Sequence, residues 1–144
     1  MDEIDEQILA RLTEDARSSY AEIGTAVGLS APAVKRRVDR LRAAKVITGF
    51  TVLVDPAALG WTTEAFVELY CRARTAPAEV FAIAAKHPQV VYACTVSGEA
   101  DAILHVRARS VQDFERTLER ISAEPAVART KSVIVLSGTP TRRP

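Results

Sequence analysis

The chain has 144 residues, 48% apolar and 26% charged, which are the proportions of a folded protein of one domain or two small ones. Nineteen Lys and Arg stand against eighteen Asp and Glu, so a net charge of +1 excludes a uniformly basic nucleic-acid coat and an acidic tail protein. The acidic start MDEIDEQILARL is unlike a signal or transit peptide, and no apolar stretch nears the roughly 18 residues needed to cross a bilayer. Two cysteines, Cys71 and Cys94, without zinc-ligand spacing, predict a reduced, cytoplasmic protein with no disulfide framework, no metal and no other cofactor.

The charge is partitioned. Residues 1–30 hold two arginines against seven carboxylates, a net −5. Residues 31–45 hold Lys35, Arg36, Arg37, Arg40, Arg42 and Lys45 against Asp39 alone, a net +5. One short segment therefore carries the basic excess as a local patch.

In chain order, Ile4, Ile8, Leu9 and Leu12 recur at helical spacing and predict a helix over 3–14. Ser19 followed three residues later by Glu22 fits a capping box opening a second helix that runs to about Val27. Gly28 tolerates the positive φ of a helix stop. Ser30 is the expected cap of a third helix, with Pro32 harmless in its first turn. Val34, Val38, Leu41 and Lys45 share one face of that helix. Residues 47–54 are rich in β-formers and predict a strand, followed by a linker at 55–63.

Further on, strand patterns at 65–74, 89–97, 101–109 and 127–136 alternate with helix patterns at 78–87 and 111–123. The order is βαββαβ, the split arrangement of ferredoxin-like domains. The fold class read from these patterns is α+β. A winged-type helix-turn-helix domain at 1–50 is joined by a strand and linker at 51–63 to a βαββαβ domain at 64–138. A frayed tail occupies 139–144.

In the sheet, Val67, Leu69, Cys71 and Ala73 alternate with Phe66, Glu68, Tyr70 and Arg72. Likewise Ala102, Leu104, Val106 and Ala108 oppose Ile103, His105, Arg107 and Arg109. The uniformly apolar set belongs under the helices, against Phe114, Leu118 and Ile121. The mixed set suits a subunit interface better than open solvent, because Phe66, Tyr70 and Ile103 would crowd one exposed surface.

Helix, helix, tight glycine turn and capped helix form the helix-turn-helix plan. With Val34 at zero and 100° per residue, Val38, Leu41 and Lys45 fall within about 40°, whereas Arg36 lies near about 200° and Arg40 near about 240°. An arginine fork matches guanine O6 and N7, and Lys35, Arg37 and Arg42 can flank it on phosphates. Ala31 and Ala33 allow close approach to base edges, and Ser30 with the first-turn amides can hold a phosphate. The bland alternative is a solvated basic face with Asp39 in intrahelical pairs, against which stands the six-to-one charge imbalance. The reading requires that Arg36 and Arg40 not be locked into carboxylates.

These segments, IDEQILARLTEDARSSYAEIGTAVGLSAPAVKRRVDRLRAAKVITGFTVLVDPAALG and VSGEADAILHVRARS, resemble the Lrp/AsnC (feast–famine) transcription regulators over nearly the whole chain. The resemblance implies a double-stranded DNA partner, dimers built through the sheets and sometimes octamers, and modulation by an amino acid or similar metabolite. It places the effector loop at Ser97, Gly98, Glu99, Ala100 and Asp101. Gly98 permits unusual φ there, and Asp101 or Glu99 can answer an ammonium group. Ala100 departs from the aromatic residue common at that position. Without the resemblance, a plain hairpin turn is the preferred reading of the loop.

Other residues carry blander readings. His87, before Pro88, suits a cationic helix end. His105 reads as an interface residue, Cys71 and Cys94 as small hydrophobes, Ser137-Gly138 as a strand end and Trp61 as packing between domains. Two rivals to DNA binding remain. One is an enzyme resembling siroheme decarboxylases, with His87, His105 and Tyr92 as candidate groups, although fold alone does not fix chemistry. The other is a metabolite-binding oligomer that has lost DNA binding.

Overall fold

The structure, a computed structural model, describes residues 1–72 and 75–138. It contains two compact units, Met1–Leu53 and Val54–Gly138. Ala73 and the tail 139–144, assigned above to the sheet's apolar face and to a frayed end, lie outside the described residues.

The first unit holds α1 (Glu3–Glu14), α2 (Tyr20–Val27) and α3 (Ala31–Ala43). Both early helices open on reciprocal capping boxes, Asp2 with Asp5 and Ser19 with Glu22. Ile8, Leu12, Ile23, Val34 and Val38 form the core cluster, edged by Ile4, Tyr20, Val27, Leu29 and Ile47. Burying each such side chain is worth about 1.5–3 kcal/mol, which outweighs helix propensity in elements this short.

Between α2 and α3 the chain turns on two glycines. Gly28 has φ 71° and ends α2 in the left-handed region. Gly24, inside α2, accepts the Leu29 N–H at 2.9 Å. A Cβ added at Gly24 would stand 2.3 Å from the Leu29 carbonyl oxygen, so the turn closes only over a bare backbone.

Three expectations for this unit are corrected. Ser30 sits at the N-cap of α3, but its side chain makes no capping bond; its carbonyl oxygen takes the Ala33 and Val34 amides. Lys45 is not on the helical stripe, because α3 stops at Ala43 and Lys45 adopts φ 56°, letting Val46 N–H return to the Leu41 carbonyl. Residues 47–54 form no strand, and so no β-wing. A strand needs a neighbour to take its amides and carbonyls, and none of the four described strands pairs there. Phe50, Val52, Leu53 and Val54 are exposed in consequence.

The second unit begins with a short 3₁₀ turn, Ala57–Leu59. It continues as β1 (Thr63–Cys71), α4 (Pro77–Ala85), β2 (Val90–Thr95), β3 (Ala102–Ala108), α5 (Val111–Ser122) and β4 (Val127–Ile134). The order is βαββαβ, and the antiparallel sheet runs β2-β3-β1-β4. Ala65, Val67, Leu69, Ala102, Leu104 and Val106 point under the helices and meet Val80, Ile83, Phe114 and Ile121. A bulge between Val90 and Tyr92 turns Tyr92 to the other face, beside His105.

Candidate nucleic-acid interface and effector loop

Helix α3 buries Val34, Val38 and Leu41, which fixes its opposite face toward solvent. Arg36 lies on that face, exposed, with no hydrogen-bond or ion-pair partner among the described residues. Ala31 and Ala33 are half-buried at the N-terminal end, beside an exposed Ser30. Lys35 pairs with Asp39 one turn on at 2.6 Å, and that carboxylate holds the Lys35 ammonium pKa above its ordinary value.

Arg37 and Arg40 are engaged by α1, which corrects two expectations: that Arg40, like Arg36, is held by no carboxylate, and that Arg37 is free to flank it on phosphates. Arg37 Nη1 donates to Asp2 Oδ2 at 2.7 Å and to Asp5 Oδ1 at 2.8 Å. Arg40 Nη2 donates to Asp5 Oδ2 at 2.8 Å. Asp5 is only 1% exposed and also accepts the Asp2 amide. A carboxylate so buried is tolerable only when its lone pairs are met, and two guanidiniums and one N–H meet them. The Arg37 hydrogen bond, with the Asp2 amide and the charge of Arg40, keeps Asp5 below the usual carboxylate range despite burial. Asp2 is lowered as well, chiefly by Arg37.

The two arginines differ in what remains available. The Arg37 side chain is 23% exposed and spent on the clamp. The Arg40 side chain is 62% exposed, so one edge of its guanidinium faces water while the other grips Asp5. The clamp fixes the rotation of α3 about its axis relative to α1. That rotation decides which way Arg36 points.

In the second unit the residue run 97–101 joins β2 to β3. Gly98 has φ 139°, a conformation strained for any L side chain. Asp101 is committed to the end of β1: its amide donates to the Leu69 carbonyl at 2.8 Å, and its Oδ2 accepts the Cys71 amide at 2.7 Å. Ser97 and Glu99 are exposed and Ala100 half-buried, with no hydrogen bond to the Glu99 carboxylate among the described residues. The loop is thus a pinned hairpin with one unengaged carboxylate.

Comparison with known proteins matches both parts of the chain to known domains. Residues 1–42 match the AsnC-type helix-turn-helix domain, and residues 64–144 match the Lrp/AsnC ligand binding domain. The chain belongs to the Lrp/AsnC family. It is 51% identical over all 144 residues to the HTH-type transcriptional regulator Rv2324 of Mycobacterium tuberculosis, covering 100% of this chain and 97% of the relative. The structure of AsnC from E. coli superposes with a TM-score of 0.90 at 26% identity, covering 100% of this chain and 99% of that one. A feast or famine regulatory protein from M. tuberculosis complexed with L-methionine gives 0.91 at 32% identity, covering 99% and 97%. A transcriptional regulator from Neisseria meningitidis in an L-methionine complex gives 0.90 at 25%, covering 99% and 94%. The chain is therefore a helix-turn-helix transcriptional regulator carrying a ligand-binding domain. No helix among the described residues is long and apolar enough to cross a membrane.

Of the remaining candidates of this Lrp/AsnC chain, the structure brings Tyr92 and His105 together. His87 is buried just past the end of α4, and burial pushes its pKa down, which disfavours the cationic helix end expected. Tyr92 and His105 are cross-strand neighbours on the open sheet face, where the His105 ring stacks on Phe66 at 4.8 Å and its Nε2 meets Glu64. Across the strands Tyr92, His105, Phe66 and Val133 form one row. Charged pairs flank it: Arg107 with Glu64, and Lys131 with Glu68, whose carboxylate also accepts the Tyr70 hydroxyl at 2.7 Å. Cys94 lies on this face with Ile103, while Cys71 packs on the core side.

Sequence reasoning missed Asp2, Asp5 and Gly24. The Asp-x-x-Asp spacing ahead of an apolar run was a capping-box signal for α1. A glycine inside an eight-residue helix costs about 1 kcal/mol against alanine, which signals a packing reason.

Proposed function

We propose that the protein represses or activates genes by laying α3 in the major groove of double-stranded DNA. Arg36 reads a base edge, Arg40 and Lys35 contact the backbone or bases beside it, and Ser30, Ala31 and Ala33 approach the groove at the helix start. Arg37 serves as a positioning residue through Asp2 and Asp5. The observation that carries this reading is Arg36, exposed and without a partner among the described residues, directly opposite the buried stripe of Val34, Val38 and Leu41.

The ligand is an amino acid, held at the loop Ser97, Gly98, Glu99, Ala100 and Asp101. Support comes from the two similar structures with L-methionine, and from the exposed Glu99 carboxylate, which suits an α-ammonium group. The protein works in the cytoplasm and associates with itself through the open sheet face. Phe66 at 44% and Tyr92 at 62% exposed offer that face an apolar centre within a charged rim.

The test is selection of duplexes from a random pool by the full-length protein, followed by footprinting with and without individual amino acids. The expected result is two half-sites on one face of the DNA, about one helical turn or a multiple apart, whose occupancy one amino acid changes. Failure to enrich any sequence would overturn the DNA reading. Enrichment indifferent to every amino acid would overturn the effector reading alone.

A further inference from the structure

The second unit contains a hollow of about 460 Å³ at the end of the sheet opposite the 97–101 loop. It lies where β3 ends, α5 begins and β2 starts. That volume falls within the roughly 300–1,000 Å³ of small-molecule sites. Arg107, Arg109 and Arg116 line it, against Asp113 as the one acidic lining residue among the described residues.

None of these guanidiniums is well satisfied. Arg107 reaches Glu64, outside the lining, only at 3.4 Å, and Arg116 reaches Asp113 only at 3.5 Å while remaining 66% exposed. The Arg109 guanidinium has no partner among the described residues. In α3, by contrast, Arg37 and Arg40 hold carboxylates at 2.7–2.8 Å. Asp113 is already occupied by the Arg109 amide at 3.1 Å. The positive end of the twelve-residue α5 adds to the excess. The lining also includes the apolar side chains of Trp61 and Pro88. Gln89 lines the hollow too, and its buried amide oxygen accepts no hydrogen bond from the described residues.

We propose that this hollow is a second ligand site, for a small organic oxyanion. The ligand carries a phosphate or carboxylate for the three arginines and a flat or apolar body against Trp61. A guanidinium fork matches either oxyanion, and a concave site with an aromatic wall selects a compact metabolite over an extended chain. The site does not rest on the effector reading, since it shares no residue with the 97–101 loop.

Trp61 is the single tryptophan of the chain, so its emission reports on this wall alone. The full-length protein is titrated with inorganic phosphate, adenosine monophosphate and L-glutamate, with sodium chloride at matched ionic strength and neutral adenosine as controls. The proposal expects a saturable change with at least one anion, larger for the probe with the matching body, and none with the controls. Phosphate-type response assigns a phosphorylated ligand, and glutamate-type response a carboxylate. The double variant R109A/R116A should raise the midpoint at least about tenfold, as expected for losing charge-assisted hydrogen bonds. Its melting temperature should stay unchanged, because Arg109 and Arg116 are exposed. R109K/R116K should recover part of the binding. No saturable change with any anion, or a midpoint indifferent to R109A/R116A, overturns the proposal. So does a response to short duplex DNA alone, which would make the arginines phosphate contacts of the duplex.

Discussion

The helical unit holds five residues in its core cluster and the sheet unit thirteen. In the sheet unit, pairs such as Arg107 with Glu64 and Lys131 with Glu68 lie on the open face at 3.4 and 3.6 Å, where partly exposed ion pairs add little to stability. In the helical unit a carboxylate is pulled inside and two arginines close over it. The contrast shows how a thin core orients a reading helix. Apolar burial selects which side of α3 faces in, and a directional clamp between α1 and α3 fixes its rotation. The same ionic contact lowers the number of cations free for DNA, leaving Arg36 directly opposite the stripe as an arginine without a partner among the described residues.

Gly24→Ala should disturb this arrangement most. Its Cβ meets the backbone at Leu29, which no rotamer change can relieve, so the helical unit should lose about 1–3 kcal/mol or more. A thermal melt followed by circular dichroism should show helix lost at lower temperature while the sheet transition stays put. Coincident shifts of both would show that the two units do not melt independently. Next, Phe66→Glu places a charge in the aromatic row and should cost self-association at least about 2 kcal/mol. Sedimentation should then show a smaller species, and an unchanged species would remove the open face from the interface.

The clamp gives a pH-dependent effect. Asp2 and Asp5 have depressed pKa values in the folded chain. Their contribution to stability is therefore whole above the unfolded carboxylate value of about 3.9 and is lost as pH falls through the lower folded value. Asp5→Asn should start less stable at neutral pH and lose less on acidification than the wild type. Parallel acid melts of the two would contradict the clamp.

Much of this was legible in the sequence because periodicity reports burial directly. Val34, Val38 and Leu41 mark the inner face of α3, and the alternation in β1 and β3 marks both sides of the sheet. Three things were hidden. The 47–54 segment has the residues of a strand, but pairing depends on a neighbour that composition does not reveal. The pairing of Arg37 and Arg40 with Asp5 spans more than thirty residues and exists only once α1 and α3 pack. The hollow at Trp61 gathers residues from the start of the unit, the turn before β2, β3 and α5, none of which forms a motif along the chain.

Arg36→Ala provides the most direct measurement, comparing affinity for the duplex the wild type selects with affinity for random duplex at one salt concentration. If Arg36 reads a base while Arg37 only positions α3, the variant should lose about 1–3 kcal/mol per monomer on the selected duplex and far less on random DNA. Arg37→Ala should weaken both together. Equal losses on the two duplexes for Arg36→Ala, or no loss at all, would contradict the assignment of α3's outer face to sequence reading.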